Sequence, residues 1–257
     1  PVPRSVSVVI PARNECAWID ACVRSAAADA SVAEVIVSDG GSSDGTVDSA
    51  RAAGARVVSD AAHAGRGGQI AAGIAAARGD VVAVVHADTR LRPGALDEAI
   101  AFLAANPRHI GGALGSSFDA QSLPLQILEV ANCSRAALSG VSFGDQVQFF
   151  RRGPVVEAGI YPAIPLMEDV ELSLRLTRLG RVAFLWQRNR VSARRWQRNG
   201  AARTALIFRL LLTYMLRRLF QTPETMDLYH RYYGVAVPER AESASGVGAR
   251  GPVSGNA

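Results

Sequence analysis

Three short acidic signatures occur in order along the chain: Asp39 in VSDGGSSDGT, Asp88 in VVHADT, and Glu168-Asp169 in PLMEDVEL. A carboxylate in the first can accept an N–H from a pyrimidine base. One in the second can hold a hard divalent cation, because such ions take carboxylate, phosphate and water oxygens. The adjacent pair in the third points about 100° apart on a helix, so the two should do different jobs. Asp169 is the expected general base that takes a proton from an acceptor, and Glu168 its orienting or acceptor-binding neighbour. Plain helix capping is the competing reading of that pair.

Smaller motifs surround these carboxylates. Pro11-Ala12-Arg13-Asn14-Glu15 follows the first apolar run, and Glu15 can reach a ribose or base or simply complement a helix dipole. Gly40, after Asp39, lets backbone approach a ligand closely. Arg66 and Gln69 lie in GRGGQ at a helix start, where amides and a guanidinium suit a diphosphate. His86 and Ala87 precede Asp88, and His86 either reaches the ligand or fills the core edge. Gly144-Asp145-Gln146 lies at the start of an expected strand and can line a sugar or acceptor pocket. In Arg194-Arg195-Trp196, the indole and guanidinium groups can close over phosphates or stack on a sugar.

Positioning these groups requires strand ends. Apolar runs at 6–10, 34–38, 55–59 and 80–85 read as buried strands, joined by helices at 15–28, 65–78 and 93–106. Asn14 is the expected cap of the first helix, and Ser43 or Asp44 of the short helix after the glycine turn. Such alternation indicates an α/β fold with a mostly parallel sheet, and ligands bind such sheets at the carboxyl ends of the strands. The second half reads as strands at 110–118, 145–151 and 181–186, with helices at 123–138 and 168–179. A strongly apolar helix at 205–219 can pack on the domain, pair with a copy of itself, or lie on a membrane. One domain is expected over 1–237, with a nucleotide half at 1–108, an acceptor half at 109–199, an extension at 200–237 and a flexible tail at 238–257.

Composition narrows the class. The 257 residues are 49% hydrophobic, enough for one large core. All 28 basic residues are arginine, and net charge is +5. Between 172 and 223 there are twelve arginines and no acid, a field that favours phosphates or anionic lipid head groups. No nucleic-acid motif accompanies them, so nucleic acid is not an expected partner. The three cysteines lack metal spacing and suit a reducing compartment. The first residues lack signal-peptide regions, and the longest apolar stretch is too short to cross a bilayer. A cytoplasmic protein is expected, with peripheral contact at the inner membrane face or a homodimer left open.

PARNE, DGGSSDGT, GRGGQ, HADT, FGDQVQFFRR, PLMEDVELSLRL and SARRW, in this order, resemble the inverting family-two glycosyltransferases over roughly residues 5–235. More narrowly they resemble the bacterial selenium-domain- or radical-SAM-associated transferases, which include proteins assigned to arsenosugar biosynthesis. The resemblance implies a GT-A fold: a Rossmann-like sheet with helices on both faces and a C-terminal helical extension. It implies a UDP-sugar donor near Asp39, Glu15 and Arg66, Mn²⁺ or Mg²⁺ at Asp88, and a small-molecule or lipid acceptor. The family's metal motif has acids at both ends; His86 stands at the first position here. Asp169 matches the family base. Ser192 occupies the glutamine position of the polymerising relatives' Gln-x-x-Arg-Trp signature, which argues against a processive synthase. Other readings are a retaining GT-A transferase, a metal-dependent nucleotidyltransferase, or a non-catalytic nucleotide-sugar-binding or membrane-associated scaffold.

Overall fold

Buried valine and isoleucine runs form the centre of an eight-stranded sheet in this computed structural model, which describes residues 2–59, 65–120, 122–197, 200–220 and 225–233. The tail expected at 238–257 lies outside the described residues.

The first half alternates strand and helix: β1 (Val6–Ala12), α1 (Cys16–Ala27), β2 (Val32–Asp39), α2 (Thr46–Ala52), β3 (Arg56–Ser59), α3 (Arg66–Ala76) and β4 (Val81–Val84). These four strands pair in parallel, in the order β3-β2-β1-β4. Side chains alternate across β1, so Val8 and Ile10 face one core while Val9 faces the other. Helix α1 buries Ile19, Cys22, Val23 and Ala26, a helical stripe, against the first of these cores.

The second half adds β5 (Thr89–Arg90), α4 (Ala95–Ala105), β6 (His109–Phe118), α5 (Leu123–Ser139), β7 (Gln148–Arg151), α6 (Arg152–Glu157), α7 (Glu168–Leu179) and β8 (Arg181–Val191). Strand β7 runs antiparallel to both β4 and β6, whereas β6 and β8 are parallel. The sheet is therefore parallel in its first half and mixed beyond β4. Three helices close the described chain: α8 (Arg194–Gln197), α9 (Gly200–Phe220) and α10 (Met226–Tyr233).

Strand β8 runs five residues past the expected end at Trp186. The extra length is polar, and amides replace apolar burial there. Gln187 donates to the Ala95 carbonyl at 3.2 Å and to Glu98 at 2.9 Å, and Asn189 donates to the Gly115 carbonyl at 3.0 Å. The cap assigned to Asn14 is also corrected. Asn14 sits at φ 55° and its side-chain oxygen accepts from Ser43 N at 2.9 Å, on the neighbouring loop. Glu15 is the residue before α1, and Asp44 reaches across to accept from Cys16 N at 3.2 Å. Helix α2 likewise starts after Gly45, with Asp44 accepting Thr46 N at 3.0 Å.

The apolar helix expected at 205–219 packs on the domain through its inner face. Leu210 and Tyr214 join Leu166, Met167, Val170 and Leu228 in a third core. Glu171 of α7 ties the helix down, accepting from Tyr214 at 2.5 Å and from Arg218 at 2.6 Å. Among the described residues no helix is long and apolar enough to cross a membrane.

Candidate active site

The carboxyl end of β4, the first turn of α3 and the start of α7 meet at one cleft, which Arg66, His86, Asp88, Asp145, Asp169 and Trp196 line. Pro11, Ala12, Arg13, Glu15, Asp39, Gly40, Gln69 and Gln146 are not among its lining residues.

Asp39 ends β2, 5% exposed, and its carboxylate accepts Gly41 N at 3.0 Å and Ser42 N at 3.1 Å. It thus shapes the glycine turn, and Gly41 at φ +82° occupies a left-handed position that favours glycine. Gln69 is buried and lies under Gly40: a Cβ there would come within 1.6 Å of the Gln69 amide nitrogen. Pro11, Ala12 and Ala87 are buried, and Arg13 is exposed. Ala12 and Ala87 belong to the first core, so their side chains pack rather than face a ligand. Gln146 is likewise corrected from a pocket residue to a brace: it is fully buried, accepts Phe143 N at 3.2 Å and donates to the Asn132 carbonyl at 3.3 Å.

Helix α7 begins beside the cleft, after Met167 at φ 64°. Asp169 lines the cleft and accepts Gly144 N at 2.6 Å and Val170 N at 2.8 Å. Glu168 is 1% exposed beneath it and pairs with Arg66, whose other arm lies 3.6 Å from Asp169. The two neighbours thus diverge, one to the cleft and one inward. Burial pushes the Glu168 carboxyl up to about 7; Arg66 opposes this and Asp169 adds to it. Burial also pushes Asp145 up to about 6, against the opposing charge of Arg135 and with support from Asp169 and Asp88. One oxygen of each, Glu168 Oε2 and Asp145 Oδ1, has no hydrogen-bond partner among the described residues. Gly144 is pinched between His86 and Asp169: a Cβ there would meet the imidazole at 2.2 Å and Asp169 Oδ2 at 3.2 Å.

Asp88 and His86 line the same cleft. Among the described residues no three His, Cys, Asp or Glu side chains cluster to cage a metal. The donor set fits a cation that a diphosphate also ligates, because Asp88 already attracts positive charge. Arg194 Nη2 lies 3.2 Å from Asp88 and 2.6 Å from both oxygens of Glu15. Its guanidinium carbon is 5.3 Å from the Trp18 ring centroid. Of the two adjacent arginines of SARRW, both candidates for the phosphates, Arg194 bridges Asp88 and Glu15. The side chain of Arg195 lies outside the described residues. Adjacent arginines cannot be told apart from sequence, and it is the start of the short helix α8 that directs Arg194 to these carboxylates.

Trp196 lines the cleft with its ring 5.9 Å from Phe118. The remaining wall is mostly apolar, with Leu128 from α5, Phe143, Met167, and Ile207, Phe208 and Leu211 from α9, and Tyr232 of α10; Asn132, Ser192 and Thr204 add uncharged polar groups to it. The sequence showed these as helix-spaced apolar residues, a signal shared by any core.

Residues 7–129 match the family model described as Glycosyl transferase family 2. No curated protein matches. Among solved structures, a mycobacterial protein is 26% identical at TM-score 0.53, over 74% of this chain and 65% of that one. Glucosyl-3-phosphoglycerate synthase from Mycobacterium tuberculosis, with Mn²⁺, UDP and glucosyl-3-phosphoglycerate, is 26% identical at TM-score 0.50, over 72% of this chain and 70% of that one. A mannosyltransferase from Pyrobaculum calidifontis shares the fold at TM-score 0.65 and 17% identity, over 90% of this chain and 69% of that one. The structure thus has a GT-A-like fold, with a mixed sheet, flanking helices and a C-terminal helical region, and its residues 7–129 are similar to family-two glycosyltransferases.

Proposed function

We propose that this chain transfers a sugar from UDP-sugar to an acceptor hydroxyl with inversion, using Asp169 as base. The observation that carries the reading is the position of Asp169. It lines the same cleft as Asp88, fixed by Gly144 N at 2.6 Å and braced by Arg66. The acceptor proton passes to Asp169, the acceptor oxygen forms the new bond to the anomeric carbon, and the bond to the diphosphate breaks on the opposite face. Burial keeps Glu168 beneath, where it orients Arg66. When bound at Asp88 beside His86, Mn²⁺ or Mg²⁺ supplies neutralising charge for the departing diphosphate. The relatives solved with Mn²⁺ and UDP support this donor and cation. Asp39, Gly40 and Gln69 form the nucleotide edge through backbone and turn, and Trp196 covers the sugar side.

The reading treats 1–237 as one domain, with donor residues in 1–108 and acceptor residues in 109–199. It keeps the protein cytoplasmic, with a small-molecule or lipid acceptor, no nucleic acid, and α9 available for membrane contact or self-pairing. Placement among the selenium-domain- or radical-SAM-associated transferases rests on the motif order.

Slow hydrolysis of UDP-, GDP- and dTDP-sugars with Mn²⁺ identifies the donor. Release of UDP is expected; release of pyrophosphate, or nucleotide binding without turnover, would overturn the reading. The anomeric configuration of the product tests inversion.

A further inference from the structure

We infer that the acceptor is an amphipathic lipid drawn from an anionic membrane surface, on which the outer faces of α5 and α9 rest. The inference rests on the transfer reading and names its acceptor class. The charged and titratable groups collect on the cleft floor, at Asp169, Asp145, His86, Asp88 and Arg66. Arg66 is the one described arginine lining the cleft, and it is spent on Glu168 and Asp169. The wall of Leu128, Phe143, Ile207, Phe208 and Leu211 therefore offers mainly hydrocarbon contact, and the other polar groups lining the cleft among the described residues, Asn132, Ser192 and Thr204, are uncharged.

That wall does not stop at the rim. Phe208 lines the cleft and is also 63% exposed. From it an exposed stripe continues through Leu212, Met215 and Leu219, spaced to share one helix face. Helix α5, on the other side of the cleft, likewise exposes Leu123, Ile127 and Val130. Large contiguous apolar patches of this kind mark interaction sites.

Charge selects the occupant. Along β8 the buried Gln187 and Asn189 face α4, so Trp186, Arg188 and Arg190 project from the face that α5 covers. Trp186 is 67% exposed, and Arg188 and Arg190 are exposed beside it. Arg209 is exposed on α9. Indole and guanidinium bordering an apolar face suit the headgroup layer of an anionic leaflet. Two copies pairing through these faces would instead bring arginine rims together. A lipid head group reaching Asp169 while its chains lie along the α5–α9 wall uses both features.

The test uses the full chain and sedimentation with vesicles of phosphatidylglycerol and phosphatidylcholine, against phosphatidylcholine alone. Binding to the anionic vesicles that weakens with salt is expected. The double variant Leu212→Glu/Leu219→Glu, at exposed positions away from the floor, should lose that binding while keeping UDP binding with Mn²⁺. Transfer from the identified UDP-sugar into a bacterial lipid extract should give organic-phase product, and the variant should lose it. Failure to sediment, exclusively water-soluble product, or a parent dimer that the variant makes monomeric would each overturn the inference. Absence of UDP binding by the parent would overturn the transfer reading, and the acceptor role with it.

Discussion

The loop edge after β1 and β2, proposed to hold the nucleotide, and the apolar wall proposed to hold the acceptor are built by different means. At the edge, the loops after β1 and β2 are tied by hydrogen bonds: Glu15 N to Thr46 at 2.8 Å, Ser43 N to Asn14 at 2.9 Å, and Cys16 N to Asp44 at 3.2 Å. Backbone and short side chains define its shape. The proposed acceptor wall is assembled from α5, α9 and α10, segments distant in sequence; Glu171 and the third core anchor α9, and the third core holds α10. A common donor requires a fixed, local edge. An acceptor pocket can vary with the helices laid over it, because those helices contribute contacts without rebuilding the sheet.

The sharpest way to break this division is at the floor between them. Asp169→Asn should cut transfer by about 10³ with donor affinity little changed. Parallel measurements of turnover and UDP binding check it, and equal turnover would remove Asp169 from the base role.

Next in size is the anchor of the wall. Glu171→Ala leaves Arg175, Arg218 and Tyr214 without their shared acceptor and should cost about 3 kcal/mol. Hydrogen exchange should rise in α9 and α10 while β1–β4 stays protected. Burial raises the Glu171 carboxyl, but hydrogen bonds from Arg218, Tyr214 and Arg175 outweigh it and hold it at about 2. A depressed carboxylate contributes stability above its ordinary range, near 4.5, and loses it as pH falls toward 2. The wall should therefore loosen in that acid window, and the variant should lack this acid-dependent step.

A smaller effect of opposite sign belongs to Asp145. Its raised value means that the folded state favours the protonated form, so its contribution is present below about 4 and is lost as pH rises through about 6. Asp145→Asn should stabilise the metal-free protein by about 2 kcal/mol at pH 8 and little at pH 4. Thermal melts across that range decide it.

The smallest expected change concerns Arg194. Removing it as Arg194→Ala frees Asp88 and Glu15 of a competing cation and should tighten nucleotide-free Mn²⁺ binding by up to about fivefold. Manganese paramagnetic resonance reads this directly, and unchanged affinity would show that the guanidinium does not compete.

Much of the nucleotide half was legible because its information is local. Four apolar runs, a glycine turn after Asp39 and an acid after β4 are read within a few residues. The cap at Asn14 was misread because the preference for a local cap was overridden by a loop–loop bond. The polar end of β8 was missed because amide hydrogen bonds, which leave no hydrophobic period, hold it to α4.

From sequence alone came the α/β class, the order of the carboxylates, the start of α7 at Glu168 and the expectation that neighbours on a helix must diverge. These follow from periodicity and from the fixed geometry of strands and helices. The fold decided that Asp169 takes the cleft while Glu168 is buried, that Arg194 reaches Asp88, and that Gln146 is a brace. It also decided that the outer faces of α5 and α9 flank one opening. Each depends on contacts between segments tens of residues apart, and an apolar residue carries no mark of whether it will meet a core, a pocket or the outside.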